Sequence, residues 1–134
     1  MSTIVVYWSG TGNTEDMANN IAESLGVTAK SVSDVTAAEV LENDTIVLGC
    51  PAMGAEELEE GEFQPLYDEL KANGKNKRYA FFGSYGWGGG EWMQNWQEDA
   101  KNAGLNLVCE GLISNGGFDS IEGDFDSFIS AIKG

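Results

Sequence analysis

Residues 7–18, "YWSGTGNTEDMA", place Gly10 and Gly12 among Ser9, Thr11, Asn13 and Thr14, just ahead of a helical pattern. Glycines let a backbone bend around a ligand, while hydroxyl and amide side chains add hydrogen-bond donors. At a helix start, exposed N–H groups and the helix dipole together hold an anion. The chemistry on offer is the cradling of a phosphate by neutral donors, for this stretch contains no lysine or arginine. It is not a dinucleotide fingerprint, because Glu15 stands at the third glycine position. Nor is it a Walker A loop, because no Gly-Lys-Ser/Thr occurs. An ordinary capped turn, with Asn13 or Ser9 as the cap, is the plain structural alternative.

Two further loops bear on that choice. "PAMGAEELEEGEF" (51–63) puts Met53 and Gly54 at a strand end, ahead of a dense acidic run. "GSYGWGGGEWM" (83–93) sets Tyr85 and Trp87 among glycines. A methionine and a tryptophan facing each other across a cleft would sandwich a flat aromatic ligand. A phosphate at one end and a planar ring at the other describe a mononucleotide, most economically FMN.

Such loops need a scaffold that gathers strand ends. Apolar runs at 3–8, 27–32, 45–50, 78–83 and 105–113 read as strands. Several are nearly continuous, as when helices cover both faces of a parallel sheet. Helical patterns at 14–25 (Met17, Ile21 and Leu25 on one face), 37–41, 63–70, 92–103 and 125–132 alternate with them. The repeated β-α order predicts a doubly wound α/β fold. The longer connections, 9–13, 51–62 and 84–90, each follow the carboxyl end of a strand, the edge at which open α/β sheets bind ligands. A length of 134 residues and a hydrophobic content of 42% suit a single domain, 1–134.

The formal charge of −15, from 22 acidic and 7 basic residues, argues against a nucleic-acid partner; a basic protein partner is its natural complement, a solvated surface the plain alternative, and charge alone does not choose between them. The chain has no histidine, which removes Ser-His-Asp and Cys-His catalysis and argues against zinc. No catalytic or metal-ligating residue is assigned. Cys50 and Cys109 lie in apolar surroundings and read as unpaired core residues. No apolar run approaches the roughly 18 residues of a membrane helix, and no basic, cleavable leader opens the chain. A cytoplasmic protein without membrane insertion is expected.

The three loops resemble, in order and spacing over the whole chain, the phosphate loop and the two flavin loops of flavodoxins, in particular the short-chain clostridial type. The resemblance implies a flavodoxin-like five-stranded parallel sheet in the order 2-1-3-4-5, with helices on both faces. It implies non-covalent FMN and a low-potential carrier of single electrons that cycles between semiquinone and hydroquinone, rather than a stand-alone enzyme. It carries over Ser9, Thr11, Asn13 and Thr14 as phosphate ligands, Gly10 and Gly12 as main-chain donors, and Ser84 as a neighbour of the ribityl chain or phosphate. Met53, reached through Pro51 and Ala52, matches the inner flank of the ring. Trp87 matches the outer flank, with Tyr85, Gly86 and Gly88 in the same loop. Gly54 resembles the position whose carbonyl turns toward flavin N5–H on reduction, and Glu56 the carboxylate that accepts from N3–H. Ala55 stands where many relatives have aspartate, and Pro51 replaces a hydroxyl that some relatives use on the phosphate. Trp8 is shared with the clostridial type, without an assigned role. The final strand has no sign of the long interruption of long-chain members, and "SNGGFDSIEGDFD" (114–126) follows little of the expected pattern.

Two rival readings stay with flavin. A flavodoxin-like FMN-dependent reductase would need a second substrate pocket and extra chain for a dimer, for which 134 residues leave little room. A dedicated flavin partner of ribonucleotide reductase would differ mainly in its client. A signalling receiver would need clustered aspartates and a lysine at the adjacent strand end, where "FFGSYG" offers serine and aromatics. The expectation is a monomer that meets the basic surfaces of redox donors and acceptors.

Overall fold

The computed structural model describes residues 2–10, 12–53, 58–86 and 90–134. The chain runs β1 (Thr3–Tyr7), α1 (Asn13–Leu25), β2 (Ala29–Ser31), α2 (Ala37–Leu41), β3 (Thr45–Gly49) and α3 (Phe63–Asn73). It continues through β4 (Arg78–Ser84), α4 (Glu91–Asn102), β5 (Asn106–Leu107), β6 (Leu112–Ser114), β7 (Ile121–Glu122) and α5 (Phe125–Lys133). The sheet order is β2-β1-β3-β4-β6-β7, with β5 also beside β4. Every pairing is parallel except β6 with β7. The expected order 2-1-3-4-5 is therefore present, with the fifth strand divided in two and a short antiparallel strand added outside it.

The central strands read as continuous apolar runs because both of their faces are covered. Ile4, Val6, Ile46, Leu48, Tyr79 and Phe81 point to one face, against α3 and α4. Val5, Val47, Ala80 and Phe82 alternate to the other, against α1 and α5. Phe81 stacks on Trp96 of α4 at 4.0 Å between ring centroids, while Met17 and Ile21 of α1 are fully buried on the opposite side. Helices thus lie on both faces of the sheet, and each returns the chain to its amino edge. The carboxyl edge is left for the loops between a strand and the next helix.

The run 105–113 does not form one strand. Val108 N–H still bonds the Tyr79 carbonyl at 2.9 Å, but Gly111 N–H turns to the side chain of Gln97, at 2.9 Å. Gln97 is buried on α4, and satisfying its amide bends residues 108–111 out of the ladder before β6 resumes beside β4. Cys50, just past the end of β3, is buried as expected, whereas Cys109, in this bend, is only half-buried; both are free thiols.

Charge is sorted along the strand direction. Lys75, Lys77 and Arg78 stand at the start of β4, and Lys71, Lys101 and Lys133 in the last turns of their helices. Cations suit helix C-termini, where the backbone carbonyls are unpaired. Arg78 uses this directly, donating to the Ala131 and Ile132 carbonyls at 2.9 and 3.0 Å and closing the end of α5.

Candidate functional site

Leaving the sheet, the first strand hands the chain to a turn built largely from itself. Trp8 N–H bonds the Gly49 carbonyl at 3.0 Å, which carries the ladder one residue past β1. Ser9 Oγ then accepts from Gly12 N–H at 3.0 Å. Gly12 sits at φ 95°, a left-handed geometry that costs other residues about 1–2 kcal/mol. It opens α1 as the N-cap residue and, being glycine, brings no side chain of its own to cap the helix. By contrast, Thr36 caps α2 and Asp124 caps α5 through side-chain oxygens. A helix start of this kind, with its first N–H groups free of a cap from Gly12 itself, is the kind of terminus that an anion completes.

Thr14, on the first turn of α1, is almost fully buried, and its hydroxyl lies 2.7 Å from that of Ser84, also buried, at the end of β4. This bond joins the first and third predicted loops. The middle loop joins them through backbone: Cys50 N–H bonds the Phe82 carbonyl at 3.1 Å and Ala52 N–H the Ser84 carbonyl at 3.0 Å. Pro51, Ala52 and Met53 are half-buried alongside. Ser9, Gly10, Gly12, Asn13, Thr14, Pro51, Ala52, Met53, Ser84, Tyr85 and Gly86 therefore gather at the carboxyl ends of β1, β3 and β4. Thr11, Gly54, Ala55, Glu56, Trp87 and Gly88 lie outside the described residues.

The donor set fits a phosphate held without counter-charge. Ser9, Asn13, Thr14 and Ser84 are neutral, α1 begins at an N-cap glycine, and the basic residues lie elsewhere, most of them at the opposite edge. Among the described residues no group of three or more histidine, cysteine, aspartate or glutamate side chains could hold a metal ion. Burial pushes the Cys50 thiol up to about 12, so it stays protonated and unreactive.

Several contacts at this edge were not legible in the sequence. Trp8 bridges two loops: its Nε1 donates to Glu62 at 3.3 Å, and its ring lies under Gly10, where an added Cβ would come within 3.1 Å. Tyr85 turns outward, its N–H bonding the Ser114 carbonyl at 2.9 Å and its hydroxyl donating to Glu122 of β7. Residues 115–120 fold back toward the start of α1, where Phe118 N–H donates to the Asp16 carboxylate at 2.8 Å. No spacing or residue pattern marked these partners, which come from distant parts of the chain.

Glu59 has a separate task. Its carboxylate accepts from the N–H groups of Gly61, Glu62 and Phe63 at 2.7, 2.7 and 2.8 Å, closing the turn that starts α3. Burial works to raise its pKa, but these three bonds outweigh burial and hold it below the ordinary carboxylate value. A lowered pKa contributes stability above the unfolded pKa of about 4.3, and that stability is lost as pH falls through the folded value. Glu59→Ala should lower the unfolding free energy by about 1–2 kcal/mol at pH 7. The gap to the parent should close as the pH is taken well below 4. Urea unfolding at several pH values checks this, and a gap of constant size would mean that the charge is not what the cap uses.

The family model described as flavodoxin matches residues 5–128. A flavodoxin of Clostridium beijerinckii is 44% identical over 129 residues, 92% of this chain and 94% of its own. One of Megasphaera elsdenii is 43% identical over 115 residues, 82% and 84% of the two chains. The solution structure of two-electron reduced Megasphaera elsdenii flavodoxin superposes with a TM-score of 0.86 at 37% identity, covering 98% of this chain and 99% of that one.

Proposed function

The chain belongs to the flavodoxin family of FMN-binding electron carriers, and we propose that it holds FMN at this edge and passes single electrons between redox proteins at low potential. The observation that carries the reading is the joining of three loops around a helix start with glycine at its N-cap, through the buried Thr14–Ser84 hydroxyl pair, with no cation in the loops. FMN, when bound, supplies a ring that accepts and releases electrons one at a time.

The protein's own part is binding and electrostatics. Ser9, Asn13, Thr14 and the α1 N–H groups would hold the phosphate, and Met53 would line the inner side of the ring. Thr11, Trp87 and Glu56 are proposed for the roles that the family resemblance gives them. A lysine on the phosphate would favour added negative charge on the ring. Neutral donors hold the phosphate without doing so, and the acidic surroundings make added negative charge costly. That balance supports a low potential.

We further propose a single-domain, monomeric, cytoplasmic protein that meets basic partner surfaces and is not a catalyst by itself. The near-complete coverage of flavodoxin relatives supports the single domain, and the two free thiols suit a reducing compartment. Among the described residues no helix is long and apolar enough to cross a membrane.

The protein as purified should be yellow and release one FMN per chain, with no FAD. Its absorbance spectrum and chromatography of the released flavin measure this. A colourless protein that takes up no added FMN would overturn the assignment. Rapid NADPH oxidation by the protein alone would favour the reductase instead.

A further inference from the structure

Asp16 stands one turn into α1 with an exposed carboxylate, an awkward charge to keep beside a phosphate. The structure gives it a partner from the far end of the chain, since its Oδ2 accepts from Phe118 N–H at 2.8 Å. Approach at this point is close: an added Cβ on Gly117 would lie 2.8 Å from Asp16 Oδ2 and 3.7 Å from Asn13 Oδ1. A side chain at 117 would require the Asp16 carboxylate to shift from this position. The same turn is fastened from behind, because Ser114 Oγ donates to the Gly117 carbonyl at 2.5 Å. Ser114 in turn is fully buried, and its register partner across β4–β6 is Ser84. The ring of Phe118 packs edge-on against Phe125 of α5 at 5.0 Å.

These contacts close a circuit. It runs from Thr14 to Ser84, across to Ser114, along the turn to Phe118, and back to Asp16 on the helix that carries Thr14. We propose that Asp16 is a positioning residue: its carboxylate fastens the turn 115–118 over the start of α1, beside Asn13, and this fastening slows the release of the phosphate end of FMN. The proposal rests on the phosphate lying at the α1 start, as set out above. Accepting from a backbone N–H also engages the carboxylate away from the phosphate, which lets an acid stand where its free charge would repel a dianion.

Two variants separate fastening from charge. Asp16→Asn removes the charge but keeps an oxygen that can accept from Phe118 N–H; Asp16→Ala removes both. If Asp16 fastens the turn, Asp16→Ala should release FMN about fivefold faster or more, as expected for loss of a charge-assisted hydrogen bond. Asp16→Asn should match the parent or release FMN more slowly. If Asp16 acts through charge alone, both variants should slow release equally, and that result overturns the proposal. Amide hydrogen exchange on the FMN-free protein gives an independent readout. Residues 116–120 should stay protected in the parent and in Asp16→Asn, and lose protection in Asp16→Ala. Unchanged protection in Asp16→Ala would also overturn it. A parent protein that binds no FMN would instead remove the functional reading, and the proposal with it.

Discussion

Replacing Thr14 with valine should raise the dissociation constant for FMN roughly 10- to 100-fold, while shifting that for riboflavin by no more than about twofold. Each hydroxyl has one O–H to donate, and Thr14 and Ser84 share one bond at 2.7 Å, so one of the two protons is spent between them. The pair therefore offers one donor outward, from a site where both side chains are nearly fully buried. A hydrogen bond from a buried hydroxyl to an ionised phosphate contributes about 1.5–3 kcal/mol. Valine keeps the shape of threonine but removes that donor from the helix and leaves Ser84 without its partner. Ser84→Ala is the instructive contrast. It leaves the Thr14 hydroxyl and its outward proton in place for the phosphate, so its cost should be about fivefold or less, within the range of one neutral hydrogen bond. Isothermal titration of the FMN-free proteins with both flavins decides the matter. Equal losses for the two variants, or equal losses for FMN and riboflavin, would mean that the pair only packs.

What the sequence makes legible is what depends on neighbours along the chain. Val5, Val47 and Phe82 sit one residue away from Val6, Leu48 and Phe81 and face the other way. With both faces covered, the alternation disappears into unbroken apolar runs, and those runs identify the strands. The glycines of the first loop mark a turn, and of the two it is Gly12 that takes the left-handed geometry. The break in the fifth strand is different, because it depends on Gln97, from another element, claiming the Gly111 N–H. Nothing in "LNLVCEGLI" records that claim. The same holds for residues 114–122, whose turn and short strand are fixed by Asp16, Tyr85 and β6 rather than by any period of their own. Trp8 is a middle case: its type hints at a site, but its hydrogen bond to Glu62 crosses 54 residues.

The acidic run 56–62 reads as a uniform docking face, and the structure divides it. Glu59 is consumed in closing the start of α3, and Glu62 accepts from Trp8. Glu60 is exposed, as are Glu15, Glu91 and Asp119, beyond the carboxyl ends of the strands or at the helix starts that follow them, and Glu122 of β7 is exposed beside them. The basic residues gather mainly at the other edge, so the molecule carries a charge asymmetry along the strand direction. A partner with a basic face would be turned toward the acidic edge, where the proposed FMN lies, before contact is made. Electron transfer to a basic c-type cytochrome should then slow by roughly tenfold or more between about 10 mM and 300 mM salt, as screening shortens the reach of the field. Glu60→Lys should lower the low-salt rate by about threefold or more while leaving stability within about 0.5 kcal/mol, as expected for an exposed site. Glu59→Ala should do the reverse, losing stability with a smaller effect on rate. Stopped-flow traces across a salt series, paired with urea unfolding of each variant, separate the two roles. A rate independent of salt would mean that this edge is only a solvated face, and a Glu60→Lys rate equal to that of the parent would remove Glu60 from the encounter.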